Sequence, residues 1–180
     1  RVGFSLTSSY LSAATPFENL ACIGQRLSLM ATNTYESIEI GDSHEWTHVI
    51  TAEDVQKFAE ITGDDNPIHV DEDYAAEHSR YGKRIVHGVL LLGLISKVLG
   101  RDFPGHGSIA VGISCRFLRP VPVGSEVRVQ IKVSEKIEEN KHVKVRTYIY
   151  RDNQMVLGGE GRVIPPTEEE EEPTIPGGEA

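Results

Sequence analysis

The stretch IVHGVLLLGLISKVLG, residues 85–100, is apolar on nearly every side of a helical wheel. A helix of that kind has no face to turn to water and must be surrounded by other apolar surface. At 16 residues, with His87, Ser96 and Lys97 inside it, the run falls short of the roughly 20 apolar residues that a membrane span needs. It reads as a buried helix, and the rest of the chain has to supply its cover.

That cover lies downstream. Residues 108–124, 125–137, 141–152 and 154–165 form four long runs in which apolar and polar residues alternate. Period two marks half-buried strands. Pro-Val-Gly, Glu-Glu-Asn-Lys and Asp-Asn-Gln separate the runs and are turn material. The four strands are expected to form an antiparallel meander, which needs an apolar layer on one face to be stable. Sheet and helix answer each other's requirement. The expected fold is α+β, a curved antiparallel sheet wrapped around one central buried helix.

Upstream, EWTHVI (residues 45–50) alternates as a strand. Thr51 is placed to cap a following helix, with Glu53 and Asp54 in its first turn, where carboxylates complement the helix dipole. Val55, Phe58, Ala59 and Ile61 would form its apolar face, and Gly63 would end it. DEDYAAEHS (residues 71–79) reads as a second short helix.

The ends of the chain differ from its middle. Residues 1–30 are expected to be an extension outside the fold, residues 31–164 a single domain, and residues 165–180 a disordered acidic tail. The tail holds six Glu and no basic residue. Residues 1–29 hold five Ser and one acid. They fit either sequence upstream of a start at Met30, which goes with a cytoplasmic protein, or the remnant of a transit peptide, which goes with a mitochondrial one. The first is preferred.

A net charge of −9 gives no basic field for nucleic acid. Cys22 and Cys115 are far apart and no CxxC is present, which excludes a disulfide framework and a thiolate zinc finger and points to a reducing compartment. Cys115, in an expected strand, reads as a packing residue. There is no Gly-x-Ser-x-Gly elbow, phosphate loop or dinucleotide fingerprint.

The chemistry concentrates in ITGDDNPIHVDEDYA, residues 61–75. Pro67 keeps Asn66 out of the helical region, so the chain turns there. Asp64 and His69 could then face one another across the turn, and such a pair can activate a water and return its proton. Three readings stay open on the residues alone: an acid–base pair, a helix cap beside a structural histidine, or a metal site using Asp64, Asp65, His69 and Asp71. The last matches no recognised ligand spacing. A second candidate is Gly88, near the start of the apolar helix. Its N–H lacks an intrahelical partner and could hold a carbonyl or enolate oxygen, or the glycine could simply allow close packing. Ser96 would more often bond the preceding turn, and His87 could line a pocket but reads more safely as a structural histidine at the helix end. Arg80, Lys83, Arg84 and Arg101 are either a basic rim near the site or ordinary solvated charges.

FAEITGDDNPIHVDEDYA (residues 58–75), then RIVHGVLLLGLISKVLG (residues 84–100), FPGHGS and PVPVGS, together resemble the MaoC-like family of hot-dog-fold hydratases, over about residues 44–164. The resemblance is to its short members, the (R)-specific enoyl-CoA hydratases and the 3-hydroxyacyl-thioester dehydratases of fatty-acid metabolism. It implies a single hot-dog fold and a homodimer. It implies Asp64 and His69 as the catalytic carboxylate and imidazole, and Gly88 as the N–H holding the thioester oxygen. It implies Ser96 as a supporting helix serine and Asn66 as the residue shaping the loop. No metal or organic cofactor is expected, and the implied substrate is an acyl-CoA or acyl-carrier-protein thioester. Gly124-Ser125-Glu126 stands where relatives often have Gly-Asp. A hot-dog thioesterase and a non-catalytic acyl-thioester-binding scaffold are the alternatives, since one fold hosts several functions.

Overall fold

A computed structural model of the protein describes residues 33–168. The expected extension, residues 1–30, and the tail beyond residue 168 lie outside the described residues. The elements, in chain order, are β1 (Ser43–Val49), α1 (Ala52–Thr62), α2 (Pro67–Val70), α3 (Glu72–His78), α4 (Gly88–Lys97), β2 (Ile109–Phe117), β3 (Glu126–Ile137), β4 (His142–Arg151) and β5 (Gln154–Ile164). A π-helical turn, Val98–Asp102, continues α4.

All five strands join one antiparallel sheet in the order β1-β3-β4-β5-β2. The expected meander is correct for β3, β4 and β5 only. β2 does not pair with its sequence neighbour β3 but lies at the far edge against β5, and β1 takes the place beside β3. Period two fixes that a segment is a strand and which residues share a face. It carries no information on which strand lies beside it.

The alternation becomes burial. Val127, Val129, Ile131 and Val133 of β3 and Val143, Val145 and Ile149 of β4 are all at most 1% exposed. They form one core with Leu91, Ile95, Val98 and Leu99 from α4 and its π-helical continuation. The requirement that α4 be surrounded is met on one side only. Leu91 and Ile95 face the sheet, whereas Val89 is 59% exposed and Gly93 and Ser96 are also exposed. The edge strand β2 is similarly bare, with Ile109, Val111 and Phe117 each about half exposed or more.

Gly159 lets β2 approach β5. It pairs with Cys115, and a Cβ at this position would overlap the Ser114 carbonyl oxygen and lie 2.8 Å from Cys115 Cα. Both are main-chain atoms in a ladder and cannot swing aside. Gly159→Ala is therefore expected to destabilise the fold by about 1–3 kcal/mol, the usual cost of overpacking. A melting temperature equal to the parent's would contradict this.

The helical termini follow the sequence closely. Thr51 and Asp54 form a capping box at α1, with Thr51 Oγ1 accepting from the Asp54 N–H at 3.1 Å and Asp54 Oδ2 accepting from the Thr51 N–H at 2.8 Å. Gly63 ends the helix at φ +75°, a left-handed conformation that glycine adopts without strain. Val55 and Ala59 are buried as expected, but Ile61 is 85% exposed. Its helical position turns it away from the sheet. At the other end of the domain Pro165 is buried, and the Pro166 carbonyl accepts from the Tyr35 N–H at 2.8 Å. Chain packed against the domain thus runs past Ile164.

Candidate active site

Two short turns and the start of α4 meet at one place. The first turn, residues 63–66, joins α1 to α2 and carries Asp64. Asn66 ends it by capping α2: its Oδ1 accepts from the Ile68 N–H at 3.3 Å, and Pro67 occupies the first helical position, where no N–H is needed. This single turn of helix aims His69 inward. Residues 84–86 then run between α2 and the segment before β3. The Ile85 N–H donates to the Ile68 carbonyl at 3.1 Å, and the Val86 N–H to the Val121 carbonyl at 2.7 Å. These bonds hold residues 85–87 extended, so the helix begins at Gly88 rather than at Ile85 as the apolar run implies.

Asp64, His69 and His87 converge, each offering a side-chain N or O atom within 4.8 Å of the others. The His69 ring is buried. Its Nδ1–H donates to the Ile85 carbonyl at 2.6 Å, which leaves Nε2 as the unprotonated, basic nitrogen. Burial is the main influence pushing the His69 pKa below 6.5, and His87 adds to it. The Ile85 carbonyl and the Asp64 carboxylate act in the opposite sense. His69 is therefore held neutral near pH 7, with a lone pair free. The Asp64 side chain is 54% exposed, so it is open to water on one side.

The His87 ring packs tilted against His69, with ring centroids 3.9 Å apart and planes at 32°, and against Phe58 at 4.9 Å and 48°. Its Nε2–H donates to the Asp64 carbonyl at 2.9 Å. Read from the sequence as a structural residue at the helix end, His87 belongs instead to the cluster. The signal was present in its place immediately before Gly88, but only the folding of residues 63–66 against α4 brings it to Asp64.

A cavity of about 340 Å³ opens beside this cluster, lined by His69, Tyr81, Gly88, Leu91, Phe117 and Arg119 among others. Gly88 begins α4, so its N–H has no intrahelical acceptor and sits at the positive end of the helix dipole. The Phe117 ring lies close over Gly88, 3.1–3.2 Å from where a Cβ would be. Phe117 is half exposed and can swing. Gly88→Ala is accordingly expected to leave the melting temperature nearly unchanged while narrowing the cavity, lowering kcat/KM by about tenfold, the scale of one misplaced methyl group in a binding site. Unaltered kcat/KM would show that nothing approaches Gly88.

The other sequence candidates fall elsewhere. Ser96 lies eight residues along α4 from Gly88, about 12 Å at the helical rise, and is exposed. It is not part of the cluster. Asp71 caps α3, its Oδ1 accepting from the Tyr74 N–H at 2.9 Å, and is thereby taken out of the four-residue metal reading. Among the described residues Asp64, His69 and His87 are the group that could hold a metal ion, although His69 Nδ1 and His87 Nε2 are already committed to main-chain carbonyls. Of the four bases considered as a rim, Arg80 lines the cavity, Arg84 pairs with Glu72 at 2.7 Å, and Lys83 and Arg101 lie on other hollows.

An antiparallel sheet in the order 1-3-4-5-2, one long helix against it, and a His–Asp turn at the head of that helix define a hot-dog fold. Comparison with known proteins agrees. Residues 37–154 match the MaoC-like domain model. The chain belongs to the MaoC-like family. It is 39% identical to a 3-hydroxybutyryl-CoA dehydratase of Methylorubrum extorquens, over 77% of this chain and 88% of that one. It is 28% identical to a mitochondrial 3-hydroxyacyl-[acyl-carrier-protein] dehydratase of Arabidopsis thaliana, over 86% and 92%. The solved R-hydratase PhaJ1 of Pseudomonas aeruginosa superposes with a TM-score of 0.73 at 36% identity, covering 76% of this chain and 88% of that chain.

Proposed function

We propose that the protein is a hydro-lyase that reversibly adds water to a trans-2-enoyl thioester, giving the (R)-3-hydroxyacyl thioester. The observation that carries this reading is the meeting of Asp64 and a neutral, Nδ1-anchored His69 beside a cavity whose wall includes the N-terminus of α4. The thioester carbonyl is placed on the Gly88 N–H. A water is held between Asp64 and His69 Nε2, and its oxygen attacks C3 while the pair takes one of its protons. Charge moves through C2 to the thioester oxygen, where the Gly88 N–H and the helix dipole stabilise it. The proton then goes to C2. Asn66 holds the turn that carries Asp64. Ser96 supports the site only if a neighbouring subunit brings it near, because within one chain it lies about 12 Å down the helix.

The substrate is a thioester of CoA or of acyl carrier protein, the two classes named among the relatives. A homodimer is supported by the bare apolar residues of β2 and by Val89 on the open side of α4. In this reading the catalytic domain is residues 31–164 with its packed continuation, and the extension and acidic tail stay outside the chemistry. Among the described residues no helix is long and apolar enough to cross a membrane. The cytoplasm is the preferred location, with the mitochondrion the alternative if residues 1–29 derive from a transit peptide.

The test is incubation with crotonyl-CoA, following enoyl-thioester absorbance and free thiol together. Loss of absorbance without thiol release is expected. Thiol release would replace the hydratase with a thioesterase. Neither change, with crotonyl-CoA and with longer enoyl-CoA and enoyl-carrier-protein thioesters, would leave a binding scaffold.

A further inference from the structure

His87 does something the reaction scheme leaves unused. The ring is only 2% exposed. An imidazole buried to that degree needs its polar atoms satisfied, yet its Nδ1 has no hydrogen-bond partner among the described residues. As the cap residue of α4 it makes no side-chain bond to the helix it begins. Among the described residues its one side-chain hydrogen bond is the Nε2–H donated to the Asp64 carbonyl. That bond fixes the tautomer, because an unprotonated Nε2 would set its lone pair against the carbonyl oxygen at 2.9 Å.

Among the described residues the turn that receives the bond is otherwise held by local bonds at its two ends, from the Gly63 N–H to the Ala59 carbonyl at 2.8 Å and from the His69 N–H to the Asn66 carbonyl at 2.9 Å, with the Asn66 cap beside them. Residues 63–66 are in no regular element. The Asp64 N–H is tied only to the nearby Thr62 Oγ1, at 3.3 Å. Among the described residues, the Asp64 carboxylate makes no hydrogen bond, and the His87 Nε2 atom lies 4.0 Å from its Oδ2. The imidazole of His87 is thus the long-range tether of the Asp64 main chain. The same ring forms the wall against which the tilted His69 ring packs. One side chain touches both members of the acid–base pair, one through its edge and one through its face.

We infer that His87 is a positioning residue that fixes the separation of Asp64 and His69 through its Nε2–H bond to the Asp64 carbonyl. The inference rests on the hydratase reading for its kinetic consequence but not for its geometry. Two substitutions separate donor from ring. His87→Phe keeps an aromatic wall for His69 and loses the donor. His87→Gln loses the ring but sets an amide N–H where Nε2 stood.

With the enoyl thioester that the parent turns over, kcat of H87F is expected to fall about 100-fold with KM nearly unchanged, the cost of a misplacement on the order of 1 Å. H87Q is expected to recover about tenfold or more of that loss, as a restored donor should. Equal kcat in the two variants, or a full rescue by the ring alone, overturns the inference. Two measurements stand apart from turnover. Nitrogen-15 NMR of the parent should show the His87 proton on Nε2, and hydrogen exchange at residues 63–66 should be faster in H87F than in H87Q. A proton on Nδ1, or equal exchange, also overturns it. If H87F does not fold, His87→Asn takes its place, since its shorter amide cannot reach the Asp64 carbonyl. A parent inactive on every enoyl thioester would defeat the hydratase reading and leave the tether to be judged by tautomer and exchange alone.

Discussion

Asp64→Asn is expected to lower kcat for enoyl-thioester hydration by about 10²–10⁴-fold, the usual contribution of a positioned acid or base. That corresponds to about 3–5 kcal/mol of transition-state stabilisation. The change is nearly isosteric, and the side chain is half exposed with no hydrogen bond to lose within the described residues, so stability should be preserved. It removes the carboxylate that can hold and deprotonate the water. It also removes the one nearby negative charge that favours protonated His69. The acid limb of the kcat/KM profile, where residual activity allows it to be read, should therefore move to lower pH. A variant within tenfold of the parent would remove Asp64 from the chemistry.

His69→Asn should be as damaging, by about 10²–10⁴-fold, for a different reason. The asparagine amide can take over the Nδ1–H bond to the Ile85 carbonyl, so α2 keeps its anchor, but nothing replaces the basic Nε2. In the parent, kcat/KM should decline on the acid side with a midpoint below 6.5, because burial holds the imidazole neutral to lower pH than in an unfolded chain.

The same shift has a stability consequence with a definite sign. As pH falls below 6.5 the unfolded chain takes up a proton on residue 69 before the folded chain does. Stability from this group is complete above 6.5 and is lost on descending toward the folded value. His69→Asn abolishes that loss. Its melting temperature should depend less steeply on pH between 7 and 5 than the parent's, and an unchanged slope would contradict the buried, neutral assignment.

The local grammar of the fold was legible without coordinates. Thr51 as a cap, Gly63 as a stop, four strands of period two and the turn forced by Pro67 are each decided by a few neighbouring residues. They reappear within a residue or two of where the sequence puts them, except that β2 ends at Phe117, well short of residue 124. Asp64 and His69 were legible as candidates for the same reason, since the turn forced by Pro67 sets them close in the chain, but the Ile85 carbonyl that holds His69 and the His87 ring that meets Asp64 come from outside that turn.

What depends on distant segments was not legible. The crossing of β2 to the far side of β5 needs Gly159 against Cys115, a contact between residues 44 apart in sequence that alternation alone does not encode. The open side of α4 was misread because an apolar residue records a need for cover without saying whether its own chain supplies it. His87 was placed among structural residues because its contact with the Asp64 turn depends on two hydrogen-bonded connections, Ile85 to Ile68 and Val86 to Val121, that carry the start of α4 there. The sequence by itself determined the elements, most of their buried faces and the tight turn that carries Asp64 and His69, all set by interactions within a few residues. The tertiary structure alone decided strand order, which apolar faces remain bare, and which third side chain completes the site, because those are fixed by packing between segments far apart in the chain.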